Sequence, residues 1–414
     1  MSEMPAGDMA MKKSFVRALS ILVAGAAVMA GCRVNVETGI TGDATWTCGN
    51  TYEVGWMVDV TGSLTIEPGA RVVFTNSRAG LIIKSGGKLT AVGTANARIT
   101  FTSGSVQEPG AWQGIFFWEG SEPTTLAYCD FLYGGNDDLY VCCVGGSVNA
   151  GSSIQNCTFA YSLTGGLDAS GYTELAGEIL ITGNTFHSNG VSPVRIRGYC
   201  ALDATNSFHA PDASIDMTRN CIEVIGGSYA GAQVLEVTEV PYLIGNIGVG
   251  GSLVIGPGVV LKFRQEPYGV SVGAQGTVSA DGTSSVPVIF TSSEDDSVMG
   301  DTNGDGVSAG TAGDWSGLFT QAGASVSLTC CVFRFGGYTN AYVIDGAGSV
   351  HVDECEIVHN LNGGIDVSGA GSGTSITGST FSENNATASG PYDINVDGNG
   401  NVTQSGNEAG FINP

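Results

Sequence analysis

The sequence predicts an all-β chain wound into a solenoid, and three observations lead to that prediction. Glycine supplies 64 of the 414 residues, about twice its usual share of roughly 7% and without the three-residue period of collagen. Val, Ile, Thr, Phe and Tyr dominate the segments between the glycines, which is the composition of strands and turns. The chain also repeats itself, and repeating units that bury their faces against neighbours build elongated stacks.

The longer repeat divides the chain into two halves. Residues 62–69 (GSLTIEPG) return as residues 251–258 (GSLVIGPG), at an offset of 189 residues. We interpret this as an internal duplication, with a first half at 45–231 and a second half at 232–414. No linker rich in proline or serine separates the halves, so we expect one continuous rod.

A shorter repeat lies inside each half. In each unit a small or polar residue stands two positions before an apolar one, and period-two spacing puts both side chains on one face of a strand. The units follow one another every 22 to 28 residues, which fits one coil of a β-solenoid and is too short for a propeller blade. They lie at 129–131, 157–159, 184–186 and 206–208 in the first half, and at 331–333, 355–357 and 379–381 in the second.

These units, together with LTIEPG at 64–69 and LVIGPG at 253–258, resemble right-handed parallel β-helix proteins of the pectate-lyase-like superfamily. The resemblance covers roughly residues 45–410. It implies an all-β, right-handed parallel β-helix (a β-solenoid) of about 14–16 rungs, and it is specific for fold rather than for activity. Because inward side chains stack on their equivalents in the next coil, we expect one aromatic ladder. Its members would be Phe131, Phe159, Phe186 and Phe208.

The N-terminal segment has the pattern of an export signal. Residues 11–17 (MKKSFVR) are basic and residues 18–29 are apolar, a run too short to cross about 30 Å of hydrocarbon. The segment ends in Ala30-Gly31-Cys32, which resembles a bacterial lipobox, although Met29 stands where Leu is usual. The prediction is a lipoprotein-type signal peptide at 1–31.

The resemblance implies that Cys32 is lipidated and followed by a tether at 32–44. In lipoproteins of this kind Asp after the cysteine implies inner-membrane retention, whereas Arg33 follows here, so we expect the outer membrane or cell surface. The partner is then the membrane, contacted through the N-terminal lipid. Ordinary cleavage, which would leave Cys32 free and the protein secreted, is the alternative.

The formal charge of −24 limits the class of partner. Nucleic acid is excluded as a partner, because binding it requires a basic surface. An acidic exported protein suits contact with cations or neutral glycans. Simple solubility explains the same charge.

Residues 301–306 (DTNGDG) match the first half of the calcium loop D-x-[DN]-x-[DN]-G. Alternating carboxylate and amide oxygens suit a hard cation. The motif lies in an insertion, because the offset between the halves grows from 189 at Phe290 to 203 at Trp315, which adds 14 residues. We predict a structural Ca²⁺ ion as cofactor. Its ligands would be Asp301, Asn303, Asp305 and Asp314.

The motif departs from a complete calcium loop. Ala312 stands at loop position 12, where a bidentate Glu belongs, and no helices are predicted on either side. Asp314 would have to supply the missing oxygen. The alternative is an acidic, solvated glycine loop.

Eleven cysteines suit an oxidising compartment. Equivalent cysteines at the inward position indicate first a stacked ladder of small core residues. Disulfides between adjacent rungs are the alternative, because strands stacked about 4.8 Å apart bring Cα atoms within disulfide range. The possible disulfide partners are Cys129, Cys157, Cys200, Cys221, Cys331 and Cys355.

Catalytic motifs of the related enzymes are incomplete in this chain. Polygalacturonases carry N-T-D, D-D, G-H-G and R-I-K in order. This chain has DD at 137–138 and RIR at 195–197, without N-T-D or G-H-G. Asp168 and Asp366 stand at equivalent positions after Gly-Gly pairs, where Asp is read as a turn residue. We therefore predict no catalytic residue.

Three tryptophans are candidates for stacking on sugars. Trp112 and Trp315 are equivalents in the two halves, which favours packing. Trp118 has no counterpart and is the predicted glycan contact.

The sequence thus predicts a non-catalytic, lipid-anchored β-helix of the cell envelope. Its task would be adhesion, glycan contact or envelope scaffolding, with a polysaccharide or another cell surface as partner. The first alternative is a polysaccharide lyase or glycoside hydrolase on the same fold. The second is a spacer without a ligand.

Overall fold

The fold is almost entirely β-structure. The computed structural model describes residues 31–136, 142–171, 178–198, 200–209, 219–265, 267–340, 342–385, 390–396 and 402–413. Within those ranges the only helix is a 3₁₀ turn, Tyr338–Asn340, and 42 short strands pair in parallel into five sheets. Three strands make one coil, so 42 strands correspond to 14 coils. The predicted all-β, parallel β-helix fold is confirmed.

Two seven-stranded sheets belong to the first half of the chain. Sheet A contains β1 (Arg33–Val36), β3 (Thr51–Val54), β6 (Arg71–Phe74), β9 (Ile99–Ser103), β12 (Cys129–Leu132), β15 (Thr158–Ala160) and β18 (Thr185–His187). Sheet C contains β2 (Ala44–Trp46), β5 (Ser63–Ile66), β8 (Lys88–Val92), β11 (Thr125–Ala127), β14 (Ser153–Gln155), β17 (Ile179–Thr182) and β20 (Cys200–Leu202).

Two other sheets belong to the second half. Sheet D contains β22 (Gly227–Tyr229), β25 (Ile247–Val249), β28 (Gly269–Val272), β31 (Gly317–Thr320), β34 (Ile344–Gly346), β37 (Ile365–Asp366), β40 (Ile394–Asn395) and β42 (Ile412–Asn413). Sheet E contains β23 (Ala232–Leu235), β26 (Ser252–Ile255), β29 (Thr277–Asp281), β32 (Ser325–Thr329), β35 (Ser349–Asp353), β38 (Thr374–Thr377) and β41 (Val402–Ser405).

Sheet B, with 13 strands, runs through both halves. From the first half it takes β4 (Met57–Val60), β7 (Gly80–Ile83), β10 (Gly114–Phe117), β13 (Cys142–Gly146), β16 (Gly165–Ala169) and β19 (Val194–Ile196). From the second half it takes β21 (Ile222–Val224), β24 (Tyr242–Ile244), β27 (Val260–Phe263), β30 (Val288–Ser292), β33 (Cys331–Arg334), β36 (Glu356–Val358) and β39 (Thr380–Ser382).

The strands form because apolar and other residues alternate over four or five positions between glycine-containing corners. In β26, Leu253 and Ile255 are buried while Val254 between them is exposed. Leu253 pairs with Val278 of the next coil, which is also buried. Each inward side chain therefore rests on its equivalent, and the core is one column of such contacts along the rod.

The predicted aromatic ladder is present in sheet A and is longer than expected. Phe101 stacks on Phe131 at 4.8 Å between ring centroids, and the ladder continues through Phe159 and Phe186 to Phe208 at 4.9, 5.1 and 5.4 Å. All five rings are fully buried. The repeat thus places one ring at the same point of five successive coils, close to the inter-strand spacing of about 4.8 Å.

Buried asparagines form a second ladder at the corner that precedes the phenylalanines. Asn184 donates from Nδ2 to the Ile154 carbonyl at 2.9 Å and to Asn206 Oδ1 at 3.0 Å. In the second half Asn360 donates in the same way to the Phe333 carbonyl and to the next ladder residue, Asn384. These amides satisfy corner groups that the strands leave unpaired, so they can be buried at low cost.

The two halves are joined with a rotation about the rod axis. By sequence β6 and β27 are equivalents, because Phe74 corresponds to Phe263, yet β6 lies in sheet A and β27 in sheet B. The join is made where β19 pairs with β21, so that Arg195 lies beside Glu223. Sheets A and C end near this point and sheets D and E begin there. The second copy is therefore turned by one face of the rod.

We expect Phe159→Ala to destabilise the rod by about 3–5 kcal/mol, because the change removes a fully buried ring from the middle of the ladder. The urea midpoint of the purified protein, followed by circular dichroism, measures the loss. Phe411→Ala is the matched control: Phe411 is 41% exposed and its truncation should cost within about 0.5 kcal/mol. An unchanged midpoint for Phe159→Ala would contradict the ladder's role.

Candidate functional site

The outer face of sheet B carries a row of charged side chains across the junction of the two halves. Asp168 in β16, Arg195 in β19 and Glu223 in β21 occupy the same outward position on successive strands. Their strand neighbours Leu167, Val194 and Ile222 point inward and are fully buried. The core thus fixes the backbone that presents the charged row.

The charges in this row alternate in sign and contact one another. Arg195 Nη1 lies 3.3 Å from Asp168 Oδ2, and Arg195 Nε lies 2.9 Å from Glu223 Oε2, although its N–H is not aligned for a hydrogen bond. Arg264, which follows β27, donates from Nη2 to Glu223 Oε1. Ser192 Oγ also donates to Glu223, at 3.2 Å. Glu223 is therefore held between two guanidinium groups and is itself 6% exposed.

A depression of about 570 Å³ opens beside this row, at the corner that leads from sheet B to sheet D. Its floor includes Gly226, whose φ of 35° favours glycine and leaves no side chain there. Asn246 is fixed in the lining because its Oδ1 accepts the Gly269 N–H at 3.1 Å. The side-chain lining consists of Arg195, Arg197, Arg264, Glu223, Val224, Ile225, Asn246 and Tyr268.

The lining is basic although the chain is acidic. Three guanidinium groups and one carboxylate line the depression, a balance of +2 in a chain of net charge −24. Arg197 Nε donates to the Ser170 carbonyl at 2.5 Å, which fixes the guanidinium with a neutral acceptor. The arrangement can hold an anion by charge-assisted hydrogen bonds.

The four residues predicted to bind calcium are placed in two groups. Asp301 accepts the backbone N–H groups of Gly304 and Gly306 at 2.6 and 2.9 Å, and Asn303 and Asp305 follow in the same turn. Asp314 Oδ2 instead accepts the Ser292 hydroxyl at 2.7 Å and the Thr311 N–H at 2.9 Å. Within the described parts of the chain, no group of three or more His, Cys, Asp or Glu side chains is arranged to hold a metal ion.

Glu294 links the two groups, and the sequence analysis did not select it. Asn303 Nδ2 donates to Glu294 Oε1 at 2.7 Å. Burial, and after it the adjacent side chain of Asp305, raises the pKa of the Glu294 carboxyl above its usual value, and Asp314 acts in the same direction. Only the folded insertion brings these carboxylates together, since Glu294 precedes the motif by seven residues.

The insertion also covers a buried lysine on the outer face of sheet B. Lys262 in β27 is completely buried and donates from Nζ to the Gly300 carbonyl at 2.6 Å. Burial lowers its pKa, while the nearby Asp296 and Asp295 act in the opposite direction. Asp295 is bound by Arg334 at 2.5 Å. The inserted loop is thus fastened to the sheet at two points.

The cysteines of the repeat occupy the predicted inward positions. Cys129 and Cys157 are neighbours on adjacent coils, as are Cys331 and Cys355, where the Cys331 N–H donates to Cys355 Sγ at 3.3 Å. All four are buried thiols in this structure, which fits the ladder of small core residues. The adjacent-rung disulfides stay a prediction.

Cys200 and Cys221 have different surroundings. Cys200 Sγ contacts the Ala169 carbonyl at 3.5 Å, and Cys221 Sγ lies 3.9 Å from the Ser192 hydroxyl. Burial raises the pKa of each thiol to about 12. Their pairing with each other stays a prediction.

The tryptophans divide as the sequence suggests. Trp112 and Trp315 are fully buried and donate to the Leu132 and Arg334 carbonyls at 2.7 and 2.9 Å. Trp118 is 46% exposed, and Lys84 Nζ lies 3.3 Å from its ring centroid. This cation–π contact already covers one face of the ring.

Other sequence interpretations need correction or lie outside the described ranges. Asp168 and Asp366 are not turn residues: they lie within β16 and β37, and each accepts a hydrogen bond from the serine two positions later. Residues 1–30 and 137–138 are outside the described parts of the chain. Cys32 is exposed there, next to β1. No described helix is long and apolar enough to span a membrane.

Comparison with known proteins assigns no relative. No protein-family model matches the chain, and no curated protein matches it.

We expect Glu223→Gln to destabilise the protein by about 3 kcal/mol, because Arg195 and Arg264 would lose their shared counter-charge. The figure is at the low end for a broken buried pair, since both arginines are partly exposed. The urea midpoint checks it. Glu356→Gln, an exposed change on the same outer face, should shift stability by within about 0.5 kcal/mol. Equal midpoints for the two variants would argue against the ion row.

For the insertion, we expect a chelator to lower the thermal midpoint, because a cation would offset the repulsion between Glu294 and Asp305. Ca²⁺ at about 100 times its Kd would add about 2.7 kcal/mol. Asp305→Asn should abolish the response to Ca²⁺, whereas the exposed Asp43→Asn should keep it. Identical melting of the wild type with Ca²⁺ and with chelator would refute a structural ion.

Proposed function

We propose that the protein is a non-catalytic, lipid-anchored rod of the bacterial cell envelope that contacts glycans through the outer face of sheet B. The observation that carries the proposal is the depression at the junction, where guanidinium, amide and phenol groups line one opening. Convergent polar groups beside an aromatic ring are typical of sites for polar ligands. The anchor is proposed from residues 11–32 of the sequence.

The state of Glu223 supports binding rather than catalysis at this depression. It is the one carboxylate among the described lining residues. Both of its oxygens contact arginine, and one also accepts the Ser192 hydroxyl. A carboxylate neutralised in this way is poorly placed to exchange a proton with a substrate. Its position suits it to orient Arg195 and Arg264.

Sheet D offers a separate location for the alternative of glycoside hydrolysis. Asp345 and Asp366 face outward on adjacent strands, and strands about 4.8 Å apart bring carboxyl groups close to the separation found in retaining glycosidases. Burial, and after it Asp366, raises the pKa of Asp345. One acid with a raised pKa beside a second carboxylate is the pattern of a general acid and a nucleophile.

A glycan array, with reducing ends assayed in the same wells, tests the proposal. We expect binding without new reducing ends, because the depression binds without a free carboxylate to catalyse cleavage. Asp345→Asn should behave as the wild type in both assays. New reducing ends that disappear in Asp345→Asn would replace the proposal with hydrolysis on sheet D. Silence in both assays would favour a spacer without a ligand.

A further inference from the structure

We infer that the junction depression is a site for one oxyanion-bearing sugar, a saccharide unit that carries a carboxylate, sulfate or phosphate group. The inference rests on the proposed glycan contact and names the ligand class and the residues that select it. These residues are Arg195, Arg197 and Arg264, with Asn246 and Tyr268 beside them.

Charge is the first argument. The whole chain has 15 Lys and Arg residues against 39 Asp and Glu, and three of the 15 converge on one depression. Counting Asp168, which contacts Arg195 from outside the lining, the balance is still +1. Glu266 lies outside the described residues and is not counted. A partly buried surplus of positive charge attracts an anion more strongly than the same charge on an open surface.

Geometry is the second argument. Arg195 and Arg264 are each held by Glu223, and Arg197 is held by the Ser170 carbonyl. Their planar groups are therefore oriented before a ligand arrives, which reduces the entropy lost on binding. A guanidinium fork matches the two oxygens of a carboxylate, sulfate or phosphate.

The other lining groups extend the ligand beyond a simple anion. Tyr268 is partly exposed on the rim of the depression, and an aromatic ring can pack against the apolar face of a sugar. Asn246 offers an amide held by its bond from Gly269, which can pair with hydroxyl groups. The volume of about 570 Å³ is larger than an inorganic anion requires.

The location is the third argument. The depression exists because the second copy is turned by one face, so Arg195 from the first copy meets Glu223 and Arg264 from the second. No equivalent pairing arises elsewhere by repetition, because the halves join once. Ligand sites in sheet proteins commonly occupy such breaks in a regular strand order.

Isothermal titration of the purified full chain tests the inference with four probes. They are a uronic-acid oligosaccharide, a sulfated oligosaccharide, a neutral oligosaccharide of the same length, and inorganic phosphate. We expect the two acidic oligosaccharides to bind, more weakly as salt rises, and the neutral one to fail. Binding of the sulfated probe alone or the uronic probe alone identifies the anion and supports the inference. Inorganic phosphate that binds as tightly as the oligosaccharides would overturn the sugar requirement.

Two variants and one control locate the binding. Arg264→Gln and Arg197→Gln should each weaken acidic binding roughly tenfold or more, through loss of a charge-assisted contact. Arg197 lies outside the Glu223 ion row, so its variant remains informative if Arg264→Gln melts early. Arg71→Gln removes an exposed arginine from sheet A and should bind as the wild type.

The outcomes separate this inference from the proposed function. Undiminished binding by both pocket variants would overturn the inference. Binding of the neutral oligosaccharide alone would also overturn it while leaving glycan contact in place. Failure of every saccharide in the titration and on the array would overturn both.

Discussion

Stacking between adjacent coils is the constraint on which the rest of the structure depends. One coil is about 20 residues long, as from Thr51 to its partner Arg71, and cannot bury its inward face alone. Each inward residue must therefore match the residue above and below it. The phenylalanine and asparagine ladders are two solutions of that requirement, one by ring stacking and one by amide hydrogen bonds. Outward positions are free of it, so chemistry can vary there.

The junction satisfies this constraint at one face and breaks the regular arrangement at the others. Pairing of β19 with β21 keeps sheet B continuous, while sheets A and C give way to D and E. Charged residues from separate copies then meet at a step in the surface. Both the ion row around Glu223 and the arginine-lined depression follow from this single rotated join.

The fold could be predicted from the sequence because inward periodicity repeats many times, and each repetition strengthens the same interpretation. The ladder from Phe131 to Phe208 and the burial of Trp112 and Trp315 follow from period and equivalence alone. The depression could not be predicted in this way. Glu223 and Arg264 are 41 residues apart, and the duplication gives no sign that its copies are turned. Glu294 was missed for a related reason, since it precedes the calcium-like motif and reaches it only through the folded insertion.

The turn of the second copy also limits what gene duplication can give this protein. Equivalent surfaces of the two halves face different sides of the rod: the corner after β9 leaves sheet A, whereas its counterpart after β30 leaves sheet B. A flat partner therefore cannot engage both copies of any one surface at once, and the second copy contributes no effective-concentration gain. Avidity, if the cell needs it, has to come from many rods side by side on a membrane rather than from the repeat within one rod.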